Sequence, residues 1–168
     1  MSRVPITTAE GMTILLAPGE HSQLIKSIIE EFVPHFVPGS RVLFAGDVGG
    51  KYEYFDEEGL RALGVDIDVR DNMPDVLLYY PAKNWLLLVE AITSHGPIDG
   101  KRRGALTRSF NRATAVLLYV SAFATRDELA RYAEEIAWKT EVWIAETPTH
   151  MIHFDGERLL GPGDRLAS

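Results

Sequence analysis

The chain contains no cysteine, which excludes disulfides and thiolate metal centres. It has no apolar run near the roughly 20 residues that a bilayer-spanning helix needs. Its first residues, MSRVPITTAEG, lack the long apolar core of a secretory signal. Membrane insertion and export are therefore not expected, and a cytoplasmic protein is. Internal repeats and low-complexity tracts are also missing. Positive charge is scarce: 17 Lys and Arg stand against 24 Asp and Glu, for a net charge of −7. Taken alone, that balance argues against a polyanionic partner.

What is present is ordinary for a globular protein: 46% hydrophobic and 24% charged residues over 168 positions, enough for one domain with its own core. Residues 1–13 read as a loose leader and 14–168 as a single domain. The charge is unevenly spread. Between Gly100 and Arg126 there are six basic residues (Lys101, Arg102, Arg103, Arg108, Arg112 and Arg126) and no acid. An acidic protein with one such zone can grip a polyanion through it, or through bound metal.

Apolar periodicity predicts a helix from Glu20 to Phe32, with Leu24, Ile25, Ile28, Ile29 and Phe32 on one face, ended by Pro34 and Pro38. A short strand at 41–45, a short helix at 56–63 and a possible strand at 65–69 follow. A second helix is expected over about 98–111, a buried strand at 115–120, and a third helix from the capping box Thr125-Arg126-Asp127-Glu128 to about Ala137. A strand at 141–145 and a terminal hairpin, 150–154 with 158–160 around Asp155-Gly156, complete the chain. Helices and strands in this order predict an α/β fold, a mixed central sheet flanked by helices.

The segment most suggestive of chemistry is NMPDVLLYYPAKNWLLLVEAITSHGP, residues 72–97. Two apolar runs, 76–80 and 85–89, flank the turn signal Pro81-Ala82-Lys83-Asn84. In a hairpin, the start of the first strand lies beside the end of the second. Asp75 and Glu90 should therefore meet at one end of the sheet although fifteen positions separate them. A converging acid pair can hold Mg²⁺, and Mg²⁺ with water can cut a phosphodiester. On the helix that follows, Lys101, Arg108 and Arg112 fall within about 40° of one another at 100° per residue, opposite Leu106 and Phe110. This stripe is either a solvated face or, if the acids at its N-terminal end form an active site, a contact to a DNA backbone, as is Arg102.

The αβββαβ order, with Pro-Asp opening the second core strand and Glu near the end of the third, resembles the PD-(D/E)xK nuclease fold. The strings LAPGEHSQLIKSIIEEF, GDVGGKYEYFD, MPDVLLYYPAKNWLLLVEAITSHGPID, EIAWKTEVWIAE and HFDGERLLGP resemble, in order, the C-terminal catalytic part of the BsuBI/PstI type II restriction endonuclease family. By this resemblance the 168 residues correspond to that part alone, and the family's N-terminal helical region is expected to be missing from them. The resemblance implies a homodimeric, Mg²⁺-dependent endodeoxyribonuclease acting on double-stranded DNA at a palindromic, CTGCAG-like site. By position it implies that Asp75, Glu90 and the Ala91 carbonyl hold the metal, and Glu20 is a further candidate carboxylate, its alternative role being to favour the helix dipole. The fold motif places lysine two residues after the acid, where this chain has Ile92. Lys101 and Lys51 are the candidate replacements. Thr93, Ser94 and His95 either reach a phosphate or base edge or form a hydrogen-bonded turn. A separate recognition subunit or a cognate methyltransferase would belong to the same system.

Two other readings compete. RVLFAGDVGGK followed by Asp66 or Asp68 has the outline of a nucleotide- or S-adenosylmethionine-binding βαβ unit, though its glycine spacing fits neither phosphate-binding fingerprint. A DNA-binding or assembly module that has lost catalysis is the other.

Overall fold

The computed structural model describes residues 2–46, 52–66 and 72–156. A seven-stranded mixed sheet forms its centre, built from β3 (Arg41–Gly46), β4 (Glu53–Phe55), β5 (Val76–Tyr80), β6 (Trp85–Ile92), β7 (Val116–Phe123), β8 (Thr140–Ile144) and β9 (Met151–Phe154) in the order β4-β3-β5-β6-β7-β8-β9. The β6–β7 and β7–β8 pairs are parallel and the rest antiparallel. The expected α/β class with a mixed sheet and flanking helices is thus found. The βαβ reading of residues 41–66 is not, because both neighbours of β3 run antiparallel to it.

The first residues are ordered rather than a loose leader. β1 (Val4–Thr7) and β2 (Thr13–Leu16) form a hairpin whose Val4, Ile6, Ile14 and Leu16 are buried. They pack against the apolar face of α1 (Glu20–Ser27), where Leu24 and Ile25 are buried as the periodicity predicts. Pro34 does not end this helix. A π-helical segment, Ile28–Phe32, runs into α2 (Val33–Phe36), with Pro34 in its first turn. The wider turn, in which the Val33 N–H bonds Ile28 O, accommodates a proline that has no N–H to give and whose ring crowds the preceding turn.

α1, α2 and the hairpin cover one sheet face, against Val76, Leu78, Leu87, Val89, Val120 and Trp143. The other face carries α3 (Glu57–Ala62) and α4 (Gly100–Phe110) over Leu77, Leu86 and Leu88. α5 (Arg126–Tyr132) lies farther along that face, near a smaller cluster of Ile92, Phe123, Val142 and Ile144. A bulge between Val42 and Phe44 lets the adjacent Leu43 and Phe44 both join the α3/α4 side.

The third helix stops earlier than the sequence suggests. Thr125 caps it as expected, accepting from the Glu128 N–H at 3.2 Å, but a 3-10 turn replaces the helix at 133–135. The Ala137 N–H is drawn off to Ile98 O. β7 continues three residues past the expected end, because Ser121, Ala122 and Phe123 are buried between two partner strands. β9 pairs with β8; the expected hairpin partner 158–160 lies outside the described residues, as does most of the possible strand at 65–69. Its described part, Val65 and Asp66, is not strand.

Candidate active site

The hairpin expected over 75–91 is present, and its register pairs Val76 with Val89. Asp75, one residue before β5, therefore lies across from Glu90. The turn is held by Asn84, which takes φ 54°, a left-handed conformation that asparagine tolerates better than most residues. Its side chain accepts from the Tyr79 hydroxyl at 2.9 Å and donates to Thr114 O at 3.0 Å.

Three contacts fix Asp75. Its carbonyl accepts from the Gly46 N–H at 3.0 Å. Its Oδ2 accepts from the Ala91 N–H at 2.8 Å, and its Oδ1 lies 3.2 Å from Nε2 of His21 on α1. Gly46 has to be glycine: at φ 131° an added Cβ would stand 3.0 Å from the Glu53 Cβ. The Ala91 N–H points toward β5, and in an extended strand a residue's carbonyl points the same way as its N–H. The Ala91 carbonyl therefore faces the place where β5 has already ended.

Glu90 is held from the other side. Arg102 Nε donates to Glu90 Oε1 at 2.8 Å, Nη2 lies 2.7 Å from the same oxygen, and Nη2 also donates to Met73 O at 3.4 Å. The Glu90 side chain is only 14% exposed. Burial, and then the Asp75 carboxylate, push its carboxyl up to about 7, against the opposing pull of Arg102. Two carboxylates crowded together in this way gain from a shared cation. Carboxylate and carbonyl oxygens are the hard donors that Mg²⁺ prefers.

The acids open into a cleft of about 430 Å³ lined by His21, Asp75, Glu90, Ala91, Ile92 and 93–96. Thr93, Ser94 and His95 thus line the cleft, the last two exposed. Other expectations change. Glu20 lines an adjoining cavity with Gln23, Thr125 and Glu128, which shares Ile92 and Thr93 with the cleft; its neighbour His21 turns to Asp75. Among the described residues no group of three His, Cys, Asp or Glu side chains is arranged to hold a metal. Lys101 is exposed on α4, and the next residue, Arg102, reaches the acid. Arg102 is therefore committed to Glu90 rather than displayed as a backbone contact. Arg108 is exposed along α4, and Arg112 lies beyond its end. α4 leads from the end of β6 back to the start of β7, which places Arg112 at the far end of the sheet from the cleft. Lys51 lies outside the described residues.

His21 and Gly46 are site residues that the sequence did not single out. His21 sits beside the first-helix acid that drew attention, one residue, or 100°, around the helix. Gly46 gives only a local hint, a glycine ending an apolar strand.

A family model described as the BsuBI/PstI restriction endonuclease domain matches residues 4–157. The chain is 56% identical over 161 residues to the type II restriction enzyme BsuBI of Bacillus subtilis, covering 96% of this chain and 51% of that protein. To the type II restriction enzyme AplI of Arthrospira platensis it is 34% identical over 165 residues, covering 94% and 51%. The solved structure of SdaI restriction endonuclease superposes with a TM-score of 0.87 at 38% identity, over 98% of this chain and 52% of that one. The chain thus spans about half the length of the relatives it matches. It belongs to the BsuBI/PstI restriction endonuclease domain family.

Proposed function

We propose that this chain is the nuclease domain of a Mg²⁺-dependent type II restriction endonuclease. It cuts both strands of a palindromic, CTGCAG-like duplex as a homodimer, in the cytoplasm, beside a cognate methyltransferase. The observation that carries the reading is the convergence of Asp75 and Glu90 across the β5–β6 hairpin, at the mouth of a cleft, in a chain of this family. Asp75, Glu90 and the Ala91 carbonyl are the groups that would hold Mg²⁺. Bound there, the ion supplies charge stabilisation for the phosphoryl oxygens and eases deprotonation of water at neutral pH.

The protein's own part is orientation. The Ala91 N–H and His21 fix the Asp75 carboxylate, and Arg102 fixes that of Glu90. Thr93, Ser94 and His95 at the rim, with Lys101 and Arg108 beyond, face the phosphate backbone. Water attacks phosphorus, the bond to the 3′ oxygen breaks, and the products are a 5′-phosphate and a 3′-hydroxyl.

The test is incubation of CTGCAG-containing and scrambled duplexes with and without Mg²⁺. Metal-dependent cutting of the first is expected. Asp75→Ala or Glu90→Ala should lower the rate by at least about 10³-fold, an order typical of losing a principal electrostatic group, with the folded circular dichroism spectrum retained. Cutting by either variant at the parent rate would remove the site assignment. DNA binding without cleavage under every metal condition would favour a non-catalytic module.

A further inference from the structure

We propose that Arg102 replaces the lysine of the fold motif as the fixed cation of this site, acting through Glu90 as a positioning residue. The inference rests on the reading of Asp75 and Glu90 as metal ligands. The position two residues after the acid cannot supply the charge. Ile92 is 4% exposed and sits in an apolar cluster with Phe123, Ile136, Val142 and Ile144. Its side chain is part of the packing under α5, so the lysine's place is filled by core.

The cation arrives from α4 instead. Asp99 caps that helix, its Oδ1 accepting from the Arg102 N–H at 2.8 Å, while Asp99 O accepts from the Arg103 N–H at 2.9 Å. The backbone of Arg102 is therefore fixed where its side chain starts. Two of its nitrogens converge on one oxygen, Glu90 Oε1, and Nη2 is also tied to Met73 O. A guanidinium gripping a single carboxylate oxygen sets the rotation of that carboxylate and leaves Oε2 outside the grip. Partners of this kind, one step removed from the ion, govern ligand orientation in metal sites. A lysine can surrender its proton, whereas a guanidinium stays charged at every working pH. Arg102 thus supplies a positive charge and orients the Glu90 carboxylate.

The test is calorimetric titration of the 168-residue chain with Mn²⁺ in the absence of DNA, paired with thermal unfolding. Arg102→Ala should weaken Mn²⁺ binding by about 10-fold or more with the unfolding midpoint little changed. Arg102→Lys, which restores charge but not the paired contact, should fall between Ala and the parent. Unchanged or tighter binding by a folded Arg102→Ala, while Glu90→Ala loses it, would overturn the inference alone. It would make Arg102 a mere counter-charge that the ion displaces. If Asp75→Ala and Glu90→Ala also bind Mn²⁺ as the parent does, the metal site itself is wrong and the inference falls with it. Should Arg102→Ala fail to fold, Arg102→Gln takes its place under the same criteria.

Discussion

At Glu90 the fold sets burial and a neighbouring carboxylate against a guanidinium, and the first two prevail. The folded-state value of about 7 lies above the ordinary 4.5. Between those values the native protein holds a proton that the unfolded chain releases. This contribution to stability is therefore complete below about pH 4.5 and is lost as pH rises through 7, reaching at most about 3 kcal/mol. Urea unfolding in chelator at pH 5 and pH 8 should show the parent losing more stability than Glu90→Gln, which has no proton to release. Equal losses would show that the carboxylate is ionised throughout. The two acids were legible in the sequence because a short hairpin joins them: a turn signal and two apolar runs suffice to place one opposite the other. Their supports were not. His21 and Arg102 reach the pair from helices, and whether residue 20 or 21, or 101 or 102, faces the sheet depends on how each helix is seated against it.

Among the elements, β6 shows how one strand serves two environments. Its Glu90 side chain is met by a guanidinium, and two residues on, Ile92 packs with Phe123 and Val142. Restoring the fold motif by Ile92→Lys should therefore do harm. The change removes a buried aliphatic group and forces an ammonium into its place, at a cost of about 3 kcal/mol or more. Denaturant unfolding would measure it, and a variant as stable as the parent would show that this cluster yields readily. Element boundaries were less legible where tertiary bonds overrule local preference. Pro34 is a sound stop signal, yet the π-helical turn before it lets the helix continue to Phe36. The capping box at Thr125 marks the start of α5 correctly, but only the bond from Ala137 to Ile98 explains its early end.

For the whole molecule, the β1–β2 hairpin packs beside α1 on one sheet face, so the first residues close one side of the core. They also bond to the helix directly: Lys26 Nζ donates to Pro5 O at 2.7 Å and the Thr7 N–H to Glu30 Oε2 at 2.9 Å. Two strands of four residues, one containing Pro5, carry too little periodicity to be read from the chain alone. Removing residues 2–12 should uncover the helix and forfeit the burial of Val4 and Ile6, a loss of roughly 3–6 kcal/mol, visible as a lower midpoint in urea. An unshifted midpoint would mean that the hairpin is an ornament to a core complete without it.

The Pro81–Asn84 turn has a reach beyond its own neighbourhood. It lies five strand steps, about 17 Å, from the acids, yet their alignment is set there. Side chains alternate between faces, so a slip of one residue in the pairing would carry Glu90 to the opposite side of the sheet and leave Asp75 facing a different partner. The Asn84 bonds to Tyr79 and Thr114 act as a remote gauge for the distance between two carboxylates, so a change at this exposed corner can misalign the site without touching it.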